Sequence, residues 1–289
     1  MDLFSIIAAF GGGLFGAAVG ALPAFIMTGL LAIVGCVLSL AGVGDFTVGT
    51  LTFGSFLGPH VAFAGGVAAA AYAANKKKLI DNGADIVTSL NGTGDYTVLL
   101  VGWIFGVIGA ILIYIFGTVL KIPTDLPGIC VFVSAIIVRF TLGESGLTGN
   151  YKGSAPRVWF PKGKAIYHSI VLSLGIGILV SGIGKQLLDQ GVDQALLAGN
   201  FPVICFGISA FSLIFVQMGF ASPTTHHITL PAATAFCLSG NIFVGIITAV
   251  ICGLFGDLVV NSLNSHCDTH IDPPATTIFL SILILNLIF

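Results

Sequence analysis

The 289-residue chain is 56% hydrophobic and only 8% charged, with a mean hydropathy of +1.07 and a formal net charge of -2. A soluble domain carries about 25% charge, so this composition excludes an ordinary water-soluble fold, which could not cover its core with polar surface. The absence of a basic patch interleaved with aromatics excludes nucleic acid as a partner, and a lipid bilayer is the expected solvent.

The start, Met1-Asp2-Leu3-Phe4, lacks a basic n-region, so the first apolar run is expected to stay as a membrane helix. Residues 3–42 are apolar, and about 40 residues rising about 1.5 Å each overrun a ~30 Å bilayer core. Two helices joined between Gly20 and Pro23 are therefore expected. Gly12, Gly16 and Gly20 form a small-residue stripe that lets a neighbouring helix approach. Residues 46–74 are apolar but hold Gly58-Pro59-His60, and proline removes a backbone donor. This spacing predicts a broken helix with a new start near Pro59 and His60 in its first turn. A polar loop follows at 75–95, carrying Lys76, Lys77 and Lys78. Its Asn91-Gly92-Thr93 acceptor pattern is discounted, because the loop is expected on the cytoplasmic side. Spans are expected at 96–120 and 126–142, with Arg139 as an interface anchor whose head snorkels to water.

The longest polar stretch, 143–165, holds Lys152, Arg157, Lys162 and Lys164 and separates a first membrane repeat (1–142) from a second (166–289). Residues 167–184 are expected to span, 185–200 to form a short loop, and 201–219 to span again. A second proline-punctuated segment follows at 222–239, then spans at 242–262 and 275–289. The six cysteines (36, 130, 205, 237, 252 and 267) form no C-x-x-C pair; the five inside apolar runs read as small buried hydrophobes, and no disulfide framework is implied.

Both halves share an order of features: a Gly-rich span, a second span, a segment broken by Pro with His, a long span, a polar turn before Pro, and a last span. Gly58-Pro59-His60 corresponds to the stretch around His226-His227, and Thr124-Asp125-Leu126-Pro127 to Thr269-His270-Ile271-Asp272-Pro273. An odd number of elements per half inverts the second half. Seven of the ten Lys and Arg lie in loops 75–95 and 143–165, which places both loops in the cytoplasm. The expected fold is an all-α polytopic integral membrane protein. It has about 8 to 10 spanning or half-spanning helices in two inverted repeats, broken near Pro59 and Pro223.

Ionisable side chains at membrane depth cost at least about 2.5 kcal/mol on insertion scales, so each is a candidate for function. His60, Ser222, Thr225, His226 and His227 flank the two breaks. Ser222 before Pro223 reads as a capped helix start. His226 and His227 are adjacent, so at most one is expected to reach a shared site. Asp257, Asn261 and Asn264 fall at i, i+4 and i+7 on one helical face, where Asp257 suits a proton or cation carrier. His266, Asp268, His270 and Asp272 crowd one polar turn. Extended, they point one way and offer two imidazoles and carboxylates to a divalent metal such as Zn²⁺. A gate or proton relay, or a solvated turn with Asp272 capping the last helix, are the other readings of that turn.

The leading expectation is a secondary transporter or channel-like permease for a small polar solute or ion, proton- or cation-coupled, in the cell membrane, with no enzymatic activity. The alternatives are an intramembrane metal-dependent enzyme built on the 266–272 cluster and a membrane subunit of a larger complex. The surplus of Gly stripes leaves room for a homo-oligomer.

Overall fold

Gly20, at φ 101°, is the single residue that separates the first two helices, a backbone setting that L side chains rarely adopt. The computed structural model describes residues 2–42 and 47–289; the first residue of the apolar run expected from 46 lies outside them, as does Met1. Among the described residues every regular element is helical. The α-helices are α1 (Leu3–Val19), α2 (Ala21–Leu40), α3 (Ala62–Asn75), α4 (Tyr96–Ile113), α5 (Leu126–Thr141) and α6 (Lys164–Asp189). They continue with α7 (Gln194–Phe211), the short α8 (Ile214–Gln217), α9 (His226–Ser239), α10 (Ile242–Val259) and α11 (Pro273–Ile288). α4 and α10 each run on into a π-helical end, Tyr114–Val119 and Val260–Asn264.

Among the described residues, five helical stretches are long and apolar enough to cross a membrane: Ala21–Leu40, Tyr96–Val119, Lys164–Asp189, Gln194–Gln217 and Ile242–Asn264. α1, α5 and α11 are shorter apolar helices. Outward faces carry Phe4, Val171, Leu179, Phe243, Ile247 and Ile251 well exposed, a surface suited to lipid and not to water.

Glycine sets the packing. A Cβ added at Gly16 would lie 1.9 Å from the Ala62 carbonyl oxygen, and one at Gly12 would lie 2.4 Å from that of Phe56. The stripe expected on α1 is therefore where α3 and the turn before it press in. On its other side Gly13 meets Gly102 and Gly106 of α4. α6 packs on α10 through Gly177 against Ala249, Gly245 against Ser181 and Gly253 against Ser173. α2 crosses to α7 with Gly29 against Ala210 and Phe211, Gly207 against Ala32 and Ile33, and Cys36 Sγ reaching the Asn200 carbonyl. Rising numbers on α2 meet falling numbers on α7, so the pair is antiparallel. α5 and α11 behave alike: Gly128 abuts Ala275, Thr124 donates to the Phe279 carbonyl, and Asn286 donates to that of Pro123 at 3.1 Å.

Three boundaries differ from expectation. The stretch 185–200 is mostly helix, because Lys185 pairs with Asp189 one turn on and Asp193 caps α7 through the Leu196 N–H. α3 starts at Ala62, not at Pro59, so His60 lies in the turn before it. Ser222-Pro223 does not start α9; the N-cap is Thr225, whose side chain makes no capping bond.

Gly16→Ala is expected to lower the thermal unfolding midpoint of the detergent-solubilised protein, as overpacking costs about 1–3 kcal/mol. Gly11→Ala on the same helix, where a Cβ meets nothing within 4 Å, is expected to hold or raise it, gaining up to about 1 kcal/mol.

Candidate functional site

A buried guanidinium organises the region that the sequence marked as its polar turn. Arg139, near the end of α5, is only 1% exposed, so it is not the snorkelling anchor expected. Its Nε donates to Thr269 Oγ1. One terminal nitrogen donates to the carbonyls of Gly146 (3.2 Å) and Leu147 (2.7 Å) and to Cys267 Sγ (3.0 Å). The other donates to the carbonyls of Leu263 (3.0 Å) and Thr269 (2.9 Å). The snorkelling expectation failed because chain-distant carbonyls, invisible locally, surround this side chain. Arg157 holds the same end of the molecule, donating to the Thr148 carbonyl and, at 2.6 Å, to that of Asn261.

Residues 265–272 therefore do not present four ligands on one side. His266 adopts φ 64°, which breaks the alternation of an extended strand, and its ring packs on Tyr151 with centroids 4.9 Å apart. Asp268 turns to residues 144 and 145, accepting from the Glu144 N–H and Ser145 Oγ at 2.6 Å each. His270 and Asp272 turn inward and meet at 3.1 Å, with the imidazole Nε2–H donating to the carboxylate. Among the described residues, no group of three or more His, Cys, Asp or Glu side chains could hold a metal ion. Asp272 also caps α11, its second oxygen accepting the Ala275 N–H at 2.7 Å, with Pro273 and Pro274 opening the helix.

Asp125 does the same for α5, accepting the Gly128 N–H at 2.7 Å. Both capping carboxylates line a cavity of about 680 Å³. Its walls also include Phe25, Phe63 and Phe206 from α2, α3 and α7, and Pro59 and Pro223 from the two turns. His226 and His227 both line it, contrary to the expectation that only one would. The cavity lies at the N-terminal end of α9, and first-turn side chains fan around a helix end instead of sharing one stripe. The His226 ring packs on Phe25 (centroids 4.9 Å apart) and Phe206 (5.9 Å). The Nδ1 atoms of His226 and His227 are buried without a hydrogen-bond partner.

Asp257 lines the cavity from α10 and accepts from Ser169 of α6. Asn261 and Asn264 do not join it. The π-helical end from Val260 turns fewer degrees per residue, so the expected i, i+4, i+7 stripe is lost. Asn264 instead accepts the Ile271 N–H at 3.2 Å and shapes the turn. His60, 2% exposed, is packed away behind the wall with its carbonyl where a Cβ on Gly109 would lie, 1.7 Å away. Ser222 and Thr225 flank the cavity-lining Pro223 and Thr224 without lining it themselves.

Asp125, His168 and Ser169 line the cavity and were not singled out from the sequence. Asp125 was legible: it stands before Pro in the turn aligned with Thr269–Pro273. His168 carried no local signal, because it sits in the first turns of a long apolar helix.

Together these features define an all-helical bundle with several helices of membrane-crossing length around a largely apolar cavity that three carboxylates and several imidazoles also line. The chain belongs to the family of unknown function DUF7973, whose model matches residues 1–156 and 158–289. No curated protein and no solved structure matches it.

Arg139→Lys retains the charge but cannot supply the planar fork, and Arg139→Ala leaves the buried carbonyls of Leu263 and Thr269 unsatisfied. Both are expected to destabilise the protein, alanine by about 3 kcal/mol or more, read as loss of monodisperse material in detergent chromatography. Burial raises the Asp268 carboxyl pKa, but the bonds from Ser145 and Glu144 outweigh it and hold the group below its ordinary value. Its contribution is therefore present above the unfolded carboxyl pKa of about 3.9 and is lost as pH falls through the lower folded value. Asp268→Asn is expected to flatten the acid limb of a stability-versus-pH curve and to leave its neutral and basic limbs parallel to wild type.

Proposed function

We propose that the protein is a secondary transporter or channel-like permease for a small polar solute or ion, built as two inverted repeats with its site in the central cavity. The carrying observation is that a carboxylate of the first half, Asp125, and carboxylates and imidazoles of the second, Asp257, Asp272, His226 and His227, line one space beside Pro59 and Pro223.

The repeat reading rests on element order and packing. α1, α3, α4 and α5 pack on one another as α6, α9, α10 and α11 do. The long helices α4 and α10 begin with a capping side chain bonded two residues on, Asp95 to the Thr97 N–H and Asn241 to the Phe243 N–H. Each ends in a π-helical segment, and each is followed by an Asp-capped, proline-led helix. The matched family segments meet next to Arg157, inside the expected connector. Orientation rests on α2 with α7 and α5 with α11. Were the halves related by an axis along the membrane normal, equivalent helices touching across it would run parallel. Both pairs are antiparallel, as an axis in the membrane plane requires.

The sided reading has similar support. The Asn75 side chain, Glu144, Ser145 and Asn150 all bond to the 266–268 turn, so these loops share one end of the bundle. The Lys-rich loops 75–95 and 143–165 make that end cytoplasmic.

Magnitudes favour a functional reading of the cavity carboxylates. An N-cap bond and a helix dipole each offset about 1 kcal/mol, whereas an acid at membrane depth costs about 2.5 kcal/mol or more. Capping alone leaves that cost uncovered, and a wet site exchanging protons or cations accounts for the remainder.

Purified protein in vesicles, under imposed proton and sodium gradients, is expected to accumulate one member of a panel of labelled polar solutes. Asp257→Asn is expected to reduce that uptake to the level of empty vesicles while the protein still elutes as wild type. No flux of any solute under either gradient would reject the carrier.

A further inference from the structure

The cavity's lining is one-sided in charge. Asp125, Asp257 and Asp272 face it, and none of the described residues lining it is Lys or Arg. Arg139 stands elsewhere, with its N–H groups committed to carbonyl oxygens, a hydroxyl and a thiol. The carboxylates are not all saturated. Asp125 accepts one bond at Oδ1 and none at Oδ2, and Asp257 accepts one at Oδ2 and none at Oδ1. Only Asp272 uses both oxygens, on His270 and the Ala275 N–H.

Helix N-termini at a cavity ordinarily favour anions. Here the N-termini of α5 and α11 are already filled by their own Asp side chains. There an incoming anion would meet a carboxylate; α9, whose Thr225 makes no capping bond, leaves N–H groups bare, but at a cavity that Asp125, Asp257 and Asp272 also face. The buried imidazoles carry no obligatory positive charge. His226 is 4% exposed with an unpartnered Nδ1, and burial disfavours a charged ring.

The remaining wall is largely aliphatic and carries one patch of phenylalanines. Phe25, Phe63 and Phe206 form one cluster, with ring centroids 5.7 Å apart for Phe25–Phe63 and for Phe25–Phe206. Aromatic faces attract a cation and carry little affinity for an anion. A volume of about 680 Å³ is far larger than a bare metal ion needs, and it falls within the range of about 300–1,000 Å³ that holds an organic molecule.

We propose that this cavity takes a small organic cation, a primary or quaternary amine, with its apolar body against the phenylalanine wall and its charge on Asp125 and Asp257. This names a cargo class for the carrier reading and rests on it. Aspartate as general acid or nucleophile is not required: the amine binds and leaves unchanged.

The test is equilibrium binding to the purified full-length protein in detergent, by calorimetry, with three ligands of one shape: 2-phenylethylamine, 2-phenylethanol and phenylacetate. The amine is expected to bind at least about tenfold tighter than the alcohol, and phenylacetate not to bind. Asp257→Asn and Asp125→Asn are each expected to remove most of the amine's preference and to leave the alcohol's affinity unchanged. Asparagine is a good N-cap, so the second change keeps the start of α5. Should either variant fail to fold, the three-ligand comparison on wild type still decides. Equal affinity for alcohol and amine, preference for phenylacetate, or no binding of the amine overturns the proposal. Selective amine binding without vesicle flux keeps the ligand class and removes the carrier. Flux of an anion or neutral solute without amine binding does the reverse.

Discussion

One buried cation, Arg139, dictates how the end of the molecule is put together. A guanidinium this far from water is tolerable only when its donors are matched. Its acceptors come from three places that the chain visits at different times: residues 146–147, the π-helical end at Leu263, and the 267–269 turn. Satisfying one side chain therefore ties α5 to the passage between α10 and α11. That passage sets where His270 and Asp272 point, and through Asp272 where α11 begins. The inward pair is thus positioned by a group that never touches the cavity.

The two short helices show how structure and chemistry share atoms. Asp125 and Asp272 each start a helix that begins deep in the bundle, where a proline at the first turn needs no N–H partner. The same carboxylates face the cavity. A cap is a weak interaction, and a carboxylate at depth is an expensive group. A residue chosen only for capping could be Ser or Thr at lower cost. Aspartate at both positions, beside Asp257, makes the cavity acidic in its polar part, while the rest is apolar with a phenylalanine patch.

Close packing without large side chains explains the rest of the scaffold. Lipid gives no hydrophobic drive between helices, so association rests on near contact of backbones. Gly13, Gly102 and Gly106 bring α1 and α4 together, and Gly253 admits Ser173 between α6 and α10. The larger apolar residues cover the outer surface and fill several buried clusters, among them Phe25, Phe63 and Phe206 at the cavity.

Much of this was legible from residue order alone. The helical character, the joint at Gly20, the close packing at Gly12 and Gly16 of α1, and the Asp272 cap all follow from local rules about periodicity, proline and backbone freedom, whereas the helix starts expected at Pro59 and Pro223 fall later, at Ala62 and His226. Those rules act within a turn or two of chain, which is why sequence suffices for them. Convergence was decided elsewhere. Adjacent His226 and His227 share a cavity because it lies at a helix end, and His60 misses it because α4 presses on its backbone. Asp268 and His266 leave the inner pair because a left-handed residue reverses the turn, and Arg139 is buried because distant carbonyls surround it. These outcomes depend on which segments meet across about fifty residues (His60 with Gly109) to well over a hundred (Arg139 with Thr269), and such meetings are fixed by packing and by the need to satisfy buried polar groups, not by any spacing along the chain.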